Sequence, residues 1–193
     1  MKAIPFLLMC CLAINGAFGQ TYLPFDSVTA KITYKEIIKI DSLTAKKGYE
    51  EALTWVGQYM DTLKKMPPSE LFVEKKDEDS NKIVASGKFQ AVYSDNWNKD
   101  WVWVYYSLII ETKNGRSRIK LTDLRYGEPG PHKTMTEGTF EEMYYGLNGK
   151  PKNVQTAWLG FFTSCDVVLK SIVAAYHKYM LRPAPPKPMI DNW

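Results

Sequence analysis

Residues Trp101 to Tyr126 read WVWVYYSLIIETKNGRSRIKLTDLRY, and the folding of this stretch decides how the rest of the chain can be arranged. It alternates, turns once at Asn114-Gly115, and alternates again. Asn-Gly is a strong hairpin signal, because a two-residue type I′ loop needs positive φ at both central positions. With that loop, Lys113 faces Arg116 and the pairs run outward from there. Ile110 meets Ile119 and Leu108 meets Leu121 on one face, while Glu111 meets Arg118 on the other. Farther out, the second face pairs Tyr105 with Leu124 and Trp103 with Tyr126. Like sorts with like, and a slip of one residue would undo this by sending every side chain to the opposite face. Asp123 is the misfit, since it falls opposite Tyr106 on the apolar face. A β-bulge near Thr122-Asp123 would remove the conflict, and so would a hydrogen bond from the Tyr106 hydroxyl to Asp123.

The first half of this hairpin is apolar on both sides. Trp101, Trp103 and Tyr105 share one face; Val102, Val104 and Tyr106 share the other. That pattern predicts a central strand buried on both sides near Trp101 and half-exposed toward the turn.

Upstream, Ile32 to Ile40 alternates as a first strand, with Ile32, Tyr34, Glu36, Ile38 and Ile40 on one side. Asp41 to Thr44 offers helix caps. Tyr49, Ala52, Leu53, Val56, Met60 and Leu63 then recur at helical spacing until Lys64-Lys65 and Pro67-Pro68 end the helix. Leu71 to Lys76 is a short strand. The polar turn Asp77 to Asn81 leads into a third, with Ile83, Ala85, Gly87, Phe89, Ala91 and Tyr93 on one face. Gly87 marks a bend or a bulge there. Ser94 to Asp100 is a polar loop carrying Trp97.

Downstream, Gly127 to Gly138 is loop by composition, and Thr139 to Leu147 forms a short helix capped by Thr139 or Gly138. Asn153 caps a long helix to about Tyr179. Its stripe includes Val154, Trp158, Phe161, Phe162, Cys165, Leu169, Ile172 and Tyr176, while Asp166 and Lys170 keep largely off it. The order of strand, helix, four meandering strands and helix specifies an α+β domain. Its antiparallel sheet has about five strands, and two helices pack on one face.

The chain has 193 residues and a formal charge of +4, a weakly basic balance that points to no particular partner. Residues 1–19 have the layout of a signal peptide: Lys2, an apolar run from Ile4 to Ile14, and Ala17-Phe18-Gly19 before Gln20. The expected product is exported, periplasmic or secreted, after cleavage near Gly19-Gln20. It has one domain over 20–180, a proline-rich tail over 181–193, and no transmembrane segment. Met9 before Cys10, and Cys10 before Cys11, disfavour lipidation, which wants a small residue there. Cys165 alone survives cleavage, so the mature chain forms no internal disulfide and relies on packing.

The segments ITYKEIIKIDSLTAKKGYEEALTWVGQYM, KIVASGKF and VYYSLIIETKNGRSRIKLTDLRY together resemble a bacterial family of exported proteins, domain of unknown function 4468. Its fold resembles the TATA-binding protein. The features that carry the resemblance are Tyr49 and Trp55 on the first helix, the strand around Gly87, and Lys113, Gly115, Arg116 and Arg118 in the late hairpin. The resemblance implies a curved antiparallel sheet with helices on its convex face, a single TBP-like half-unit. It implies no catalytic residues, and the DNA-binding role of the TATA-binding protein does not come with the fold.

Chemical constellations are sparse. His132 and His177 lack a second ligand at metal spacing. Asp77-x-Asp79-x-Asn81 begins like a calcium loop, but Lys82 stands where that loop needs Gly and Lys88 where it needs Glu. Ser164, Cys165 and Asp166 are helix neighbours that point apart, and there is no Gly-x-Ser-x-Gly elbow. The reading is therefore not an enzyme, with no cofactor, no metal and no nucleic acid; a hydrolase with dispersed residues is the rival, and a structural accessory of an envelope complex is a third class. Trp101, Trp103, Tyr105 and Tyr126, with Arg116 and Arg118 at the edge, form the candidate site for an envelope protein, peptide or glycan. That site is exposed, or it is covered by Gly127–Lys152 with Phe140, Met143, Tyr144 and Tyr145, or the faces are reversed and a helix takes the tryptophans.

Overall fold

The computed structural model describes residues 23–64, 69–94, 99–127 and 137–183. The signal segment with Cys10 and Cys11, the Pro67-Pro68 helix stop, Trp97, His132 and the tail from residue 184 lie outside the described residues. In chain order the elements are β1 (Phe25–Asp26), β2 (Lys31–Ile32), β3 (Tyr34–Lys39), α1 (Ala45–Lys64), β4 (Ser69–Asp77) and β5 (Lys82–Ser94). These are followed by β6 (Lys99–Lys113), β7 (Arg116–Gly127), β8 (Gly138–Thr139), α2 (Phe140–Gly146) and α3 (Lys152–Met180).

The main sheet is antiparallel in the order β3-β7-β6-β5-β4, with the short β8 added beside the end of β7. Strands β4 to β7 are the four-strand meander that the alternation predicts, β3 makes the fifth strand beside β7, and α1 and α3 lie on one face of the sheet. The buried side chains of the sheet share a single parity: Ile83, Ala85 and Phe89 on β5, and Val102, Val104, Tyr106, Leu108 and Ile110 on β6, with Ile119 and Leu121 on β7. Against them come aromatic side chains from the helices. Trp55 of α1 meets Tyr176 of α3 edge-on at 4.9 Å, and Trp158 lies 5.0 Å from Tyr126. By length and composition α3 could cross a membrane, yet here Trp158, Phe161, Phe162, Cys165, Leu169, Ile172 and Tyr176 bury one side of it in this core.

The hairpin holds the predicted register near its turn, with Leu108 opposite Leu121, Ile110 opposite Ile119 and Glu111 opposite Arg118. Its turn differs from the expected type. Gly115 has φ of 75°, whereas Asn114 stays out of the left-handed region, so only one central residue is left-handed. The reason lies in what the turn touches. The Asn114 Oδ1 accepts the Ala45 N–H at 2.9 Å, and the Gly115 N–H donates to the Leu43 carbonyl at 2.8 Å. Asn114 thus caps α1 across the fold, beside Thr44, whose hydroxyl accepts from the Lys47 N–H at 3.2 Å.

Past Ser107 the register shifts. Asp123 takes φ of 55°, Asp123 and Leu124 together oppose Tyr106, and Tyr105 then faces Arg125 while Val104 faces Tyr126. The bulge expected near Thr122-Asp123 is there, and Asp123 pairs with Lys31 instead of accepting from Tyr106. The Tyr106 hydroxyl bonds to Tyr59 instead.

Gly87 is neither a bend nor a bulge. It sits opposite Tyr106 in the ladder, and a Cβ there would come within 2.1 Å of the ring. Glycine at this position lets the Tyr106 ring lie across β5. Other expectations are corrected by the two polar ties of α3. Asp166 is buried on the sheet side, accepting the Tyr34 hydroxyl at 2.9 Å and the Lys170 ammonium at 2.7 Å. His177 meets Glu36 at 2.5 Å, which explains a glutamate on the inward side of β3. Asn153 lies inside the first turn of α3, whose N-cap is Pro151. The short helix does use Thr139, in a reciprocal box with Glu142.

Candidate functional site

On β6 the odd-numbered side chains project away from both helices. Trp101 is 55% exposed and Tyr105 38%, with Trp103 half-buried between them. The expectation of a strand buried on both sides near Trp101 is therefore overturned. Nor do the aromatic residues of 139–147 cover this face. Phe140 packs at 5.2 Å on Phe162 and Tyr144 at 5.7 Å on the same ring, so α2 seals the end of α3 on the helix side of the sheet. Leaving a large apolar side chain in water forgoes about 1.5–3 kcal/mol relative to full burial. Two such residues flanking the half-buried Trp103 in one row form a patch of the kind that marks interaction sites.

The candidate residues do not all fall together. Tyr126 leaves the group because the bulge at Asp123 reverses its direction: it is 5% exposed and packs on Trp158 and Phe161 in the core. Arg116 and Arg118 do lie on the open face, but at the turn end, six residues along β6 from Tyr105 in the case of Arg118, opposite Glu111. At about 3.4 Å per residue that is roughly 20 Å away, too far to edge the aromatic row. There Arg118 pairs with Glu111, and Ile37, Glu111, Lys113, Arg116 and Arg118 line a shallow hollow. Burial pushes the Glu111 carboxyl up, but the Arg118 and Lys82 cations outweigh it and hold the group below its usual range.

Residues not expected at the site take their place. Arg125 is exposed and directly opposite Tyr105. Lys88 is opposite Tyr105 on the other side, with its ammonium 4.7 Å from the Trp103 ring centroid and 3.0 Å from the Glu70 carboxylate. Such a cation over an indole adds about 0.5–1 kcal/mol at an exposed site. Gln90 faces Trp103, and Phe72, 60% exposed, continues the apolar surface onto β4 opposite Ser86. The signal for Arg125 and Tyr126 was Asp123 itself: a bulge there swaps the faces of every later residue on the strand.

A second concavity lies between β3 and α3, lined by Pro24, Tyr34, Lys35, Glu36, Lys170, Val173, Ala174, His177 and Lys178. It contains the His177–Glu36 pair, but no serine, threonine or cysteine is among these residues. Cys165 is fully buried, and burial pushes its thiol well above the usual range, so it is a core side chain and not a nucleophile.

Among curated proteins none is significantly similar in sequence to this chain. Two solved structures share its fold. A DUF4468 family protein from Bacteroides ovatus superposes with a TM-score of 0.55 at 17% identity, over 79% of this chain and 90% of that one. A TBP-like protein from Parabacteroides distasonis gives 0.61 at 14% identity, over 83% and 99%. At such identities the likeness is one of fold alone. The family described as a domain of unknown function (DUF4468) with TBP-like fold matches residues 34–127, the span from β3 through β7 that builds both faces of the sheet. Over those residues this chain matches the DUF4468 family and shares its TBP-like fold.

Proposed function

We propose that this protein is a non-catalytic binding module of the bacterial envelope, which docks a protein, peptide or glycan on the open face of its sheet. Trp101, Trp103 and Tyr105 are the anchors, with Arg125, Lys88 and Gln90 around them. The observation that carries the reading is the exposure of Trp101 and Tyr105 on a strand whose other face is sealed. Trp, Tyr and Arg are the residue types that dominate binding energy at interfaces. Export rests on the N-terminal pattern of Lys2, the apolar run and Ala17-Phe18-Gly19.

The test is a photoreactive benzoylphenylalanine at Tyr105 or, as a control, at Val167, which is 64% exposed on the outer side of α3. Irradiation of intact cells should give an adduct from position 105 and none from 167. An adduct from 167 alone would refute the assignment of the face.

The groove between β3 and α3 supports one rival, an acid–base enzyme in which Glu36 orients His177. Such an enzyme would take its nucleophile from water, from substrate or from a lysine of the lining, because no hydroxyl of serine or threonine and no thiol lines the groove. His177→Ala would abolish turnover under that reading. Under the binding reading it leaves adduct formation at position 105 unchanged.

A further inference from the structure

The charges on the open face are unequally matched, and this identifies the chemistry of what sits there. Every carboxylate projecting from this side of β4, β5 and β6 is engaged. Glu70 pairs with Lys88 at 3.0 Å, Asp77 with Lys75 at 3.0 Å, Glu111 with Arg118 and Lys82, and Glu74 accepts the Ser86 hydroxyl. The cations are in excess. Lys39, Lys113, Arg116, Lys120 and Arg125 project from the same side of β3, β6 and β7 and form no ion pair among the described residues. Lys120 stands opposite Ile109, and Arg125 opposite Tyr105.

Between these cations the apolar surface is not aromatic alone. Val84 and Ile109 are half-buried neighbours in the ladder, Ile37 is 53% exposed, and Phe72 60%. Flat rings suit a sugar or a base; branched aliphatic side chains offer neither of them a stacking surface. They suit the side chains of another polypeptide. The face also offers no backbone groups, because the ladders of β5, β6 and β7 use theirs between strands. An occupant must therefore be held by its side chains, apolar ones over Trp101–Tyr105 and Ile109 and acidic ones over Arg125 and Lys120.

We infer that the open face binds a protein segment that presents acidic and apolar side chains together on one side. This rests on the proposed docking role of the face and names its partner class.

A random copolymer of glutamate and tyrosine is the probe, with polyglutamate, polygalacturonate and a thymidine oligonucleotide as comparisons. Binding is read by fluorescence anisotropy on the mature chain. The copolymer should bind most tightly, and its affinity should fall as salt is raised from about 0.05 to about 0.5 M, where screening lengths drop below 10 Å. The double substitution Arg125→Glu with Lys120→Glu should weaken it at least tenfold, and Trp103→Ala likewise, with far-ultraviolet circular dichroism unchanged. Equal binding of polyglutamate, tighter binding of the polyuronate or the oligonucleotide, or indifference to charge reversal would each overturn the inference. Repeating the crosslink at position 105 in the charge-reversed chain separates the two claims. Loss of the adduct supports the acidic partner. An undiminished adduct refutes the acidic partner yet leaves the docking face standing, and no adduct even in the parent chain refutes the face itself.

Discussion

The two sides of β6 carry similar hydrophobicity and meet opposite fates. Val102, Val104, Leu108 and Ile110 are at most 1% exposed, while Trp101 and Tyr105, which carry larger apolar surfaces, stand in water. The difference lies in what each side can be matched with. The helix side is mostly branched aliphatic, with the Tyr106 ring laid flat over Gly87, and it receives Trp55, Trp158, Phe161 and Tyr176 from the helices. Bulky rings from one layer pack on branched aliphatics from the other, which fills the space between layers at interior density. Burial here is decided by complementarity between two surfaces, and the hydropathy of one strand does not contain that information.

Substitutions on the two sides should therefore diverge, and the widest gap is between two aromatic residues that the simple hairpin register would have placed on one face. Tyr126→Ala removes a core ring and should lose about 3–5 kcal/mol in denaturant unfolding. Trp101→Ala should change stability by no more than about 0.5 kcal/mol, as exposed positions do. Equal losses would erase the distinction between the faces.

The core side can be probed next at Gly87. A methyl there collides with the Tyr106 ring, so Gly87→Ala should cost about 1–3 kcal/mol by overpacking. In a Tyr106→Ala background the same change should be nearly neutral, and a persistent loss would mean that Gly87 serves the backbone and not the ring.

The sealed side also makes an alkaline prediction. Burial raises the hydroxyls of Tyr34, Tyr106 and Tyr176 above their usual range and pushes Tyr59 up to about 12. Groups whose folded pKa is raised contribute stability that is intact below the unfolded value of about 10 and lost as pH climbs above it. The melting temperature should hold steady to about pH 9 and fall beyond about pH 10. A flat profile to higher pH would place these hydroxyls in water.

The smallest effect belongs to the open side. Glu111→Gln breaks its pairs with Arg118 and Lys82 at a partly exposed site, and should cost less than about 1 kcal/mol. Glu111 titrates low in the fold, so its contribution is present above about pH 4.3 and disappears as pH falls through the lower folded value. An acid melting profile unchanged by Glu111→Gln would show that these pairs add nothing.

Much of the architecture was legible because alternation and helical spacing are local. The Ile110–Ile119 and Leu108–Leu121 pairs follow from a two-residue turn, and Thr139 caps its helix through a neighbour three positions on. What was hidden depends on contacts distant in sequence. Asn114 turns away from the left-handed region to accept the Ala45 N–H, and Asp166 is buried because Tyr34 and Lys170 reach it. For the candidate site, Trp101, Trp103 and Tyr105 were legible as one row, being on a single strand. Tyr126 was misplaced, and Arg125 missed, because the bulge at Asp123 reverses the parity of every residue after it on the strand. Lys88 and Phe72 belong to other strands, and only their pairing brings them to the row.

Thiol accessibility on adjacent positions of β6 tests the division of the sheet most directly. Tyr105→Cys and Val104→Cys are made separately in a chain whose Cys10 and Cys11 are replaced by serine, with buried Cys165 as an internal unreactive thiol. In the native protein, maleimide should label position 105 at close to the rate of a free thiol and leave position 104 unlabelled until denaturant is added. Comparable rates at both, or protection of 105 with labelling of 104, would contradict a sheet sealed on one side and open on the other.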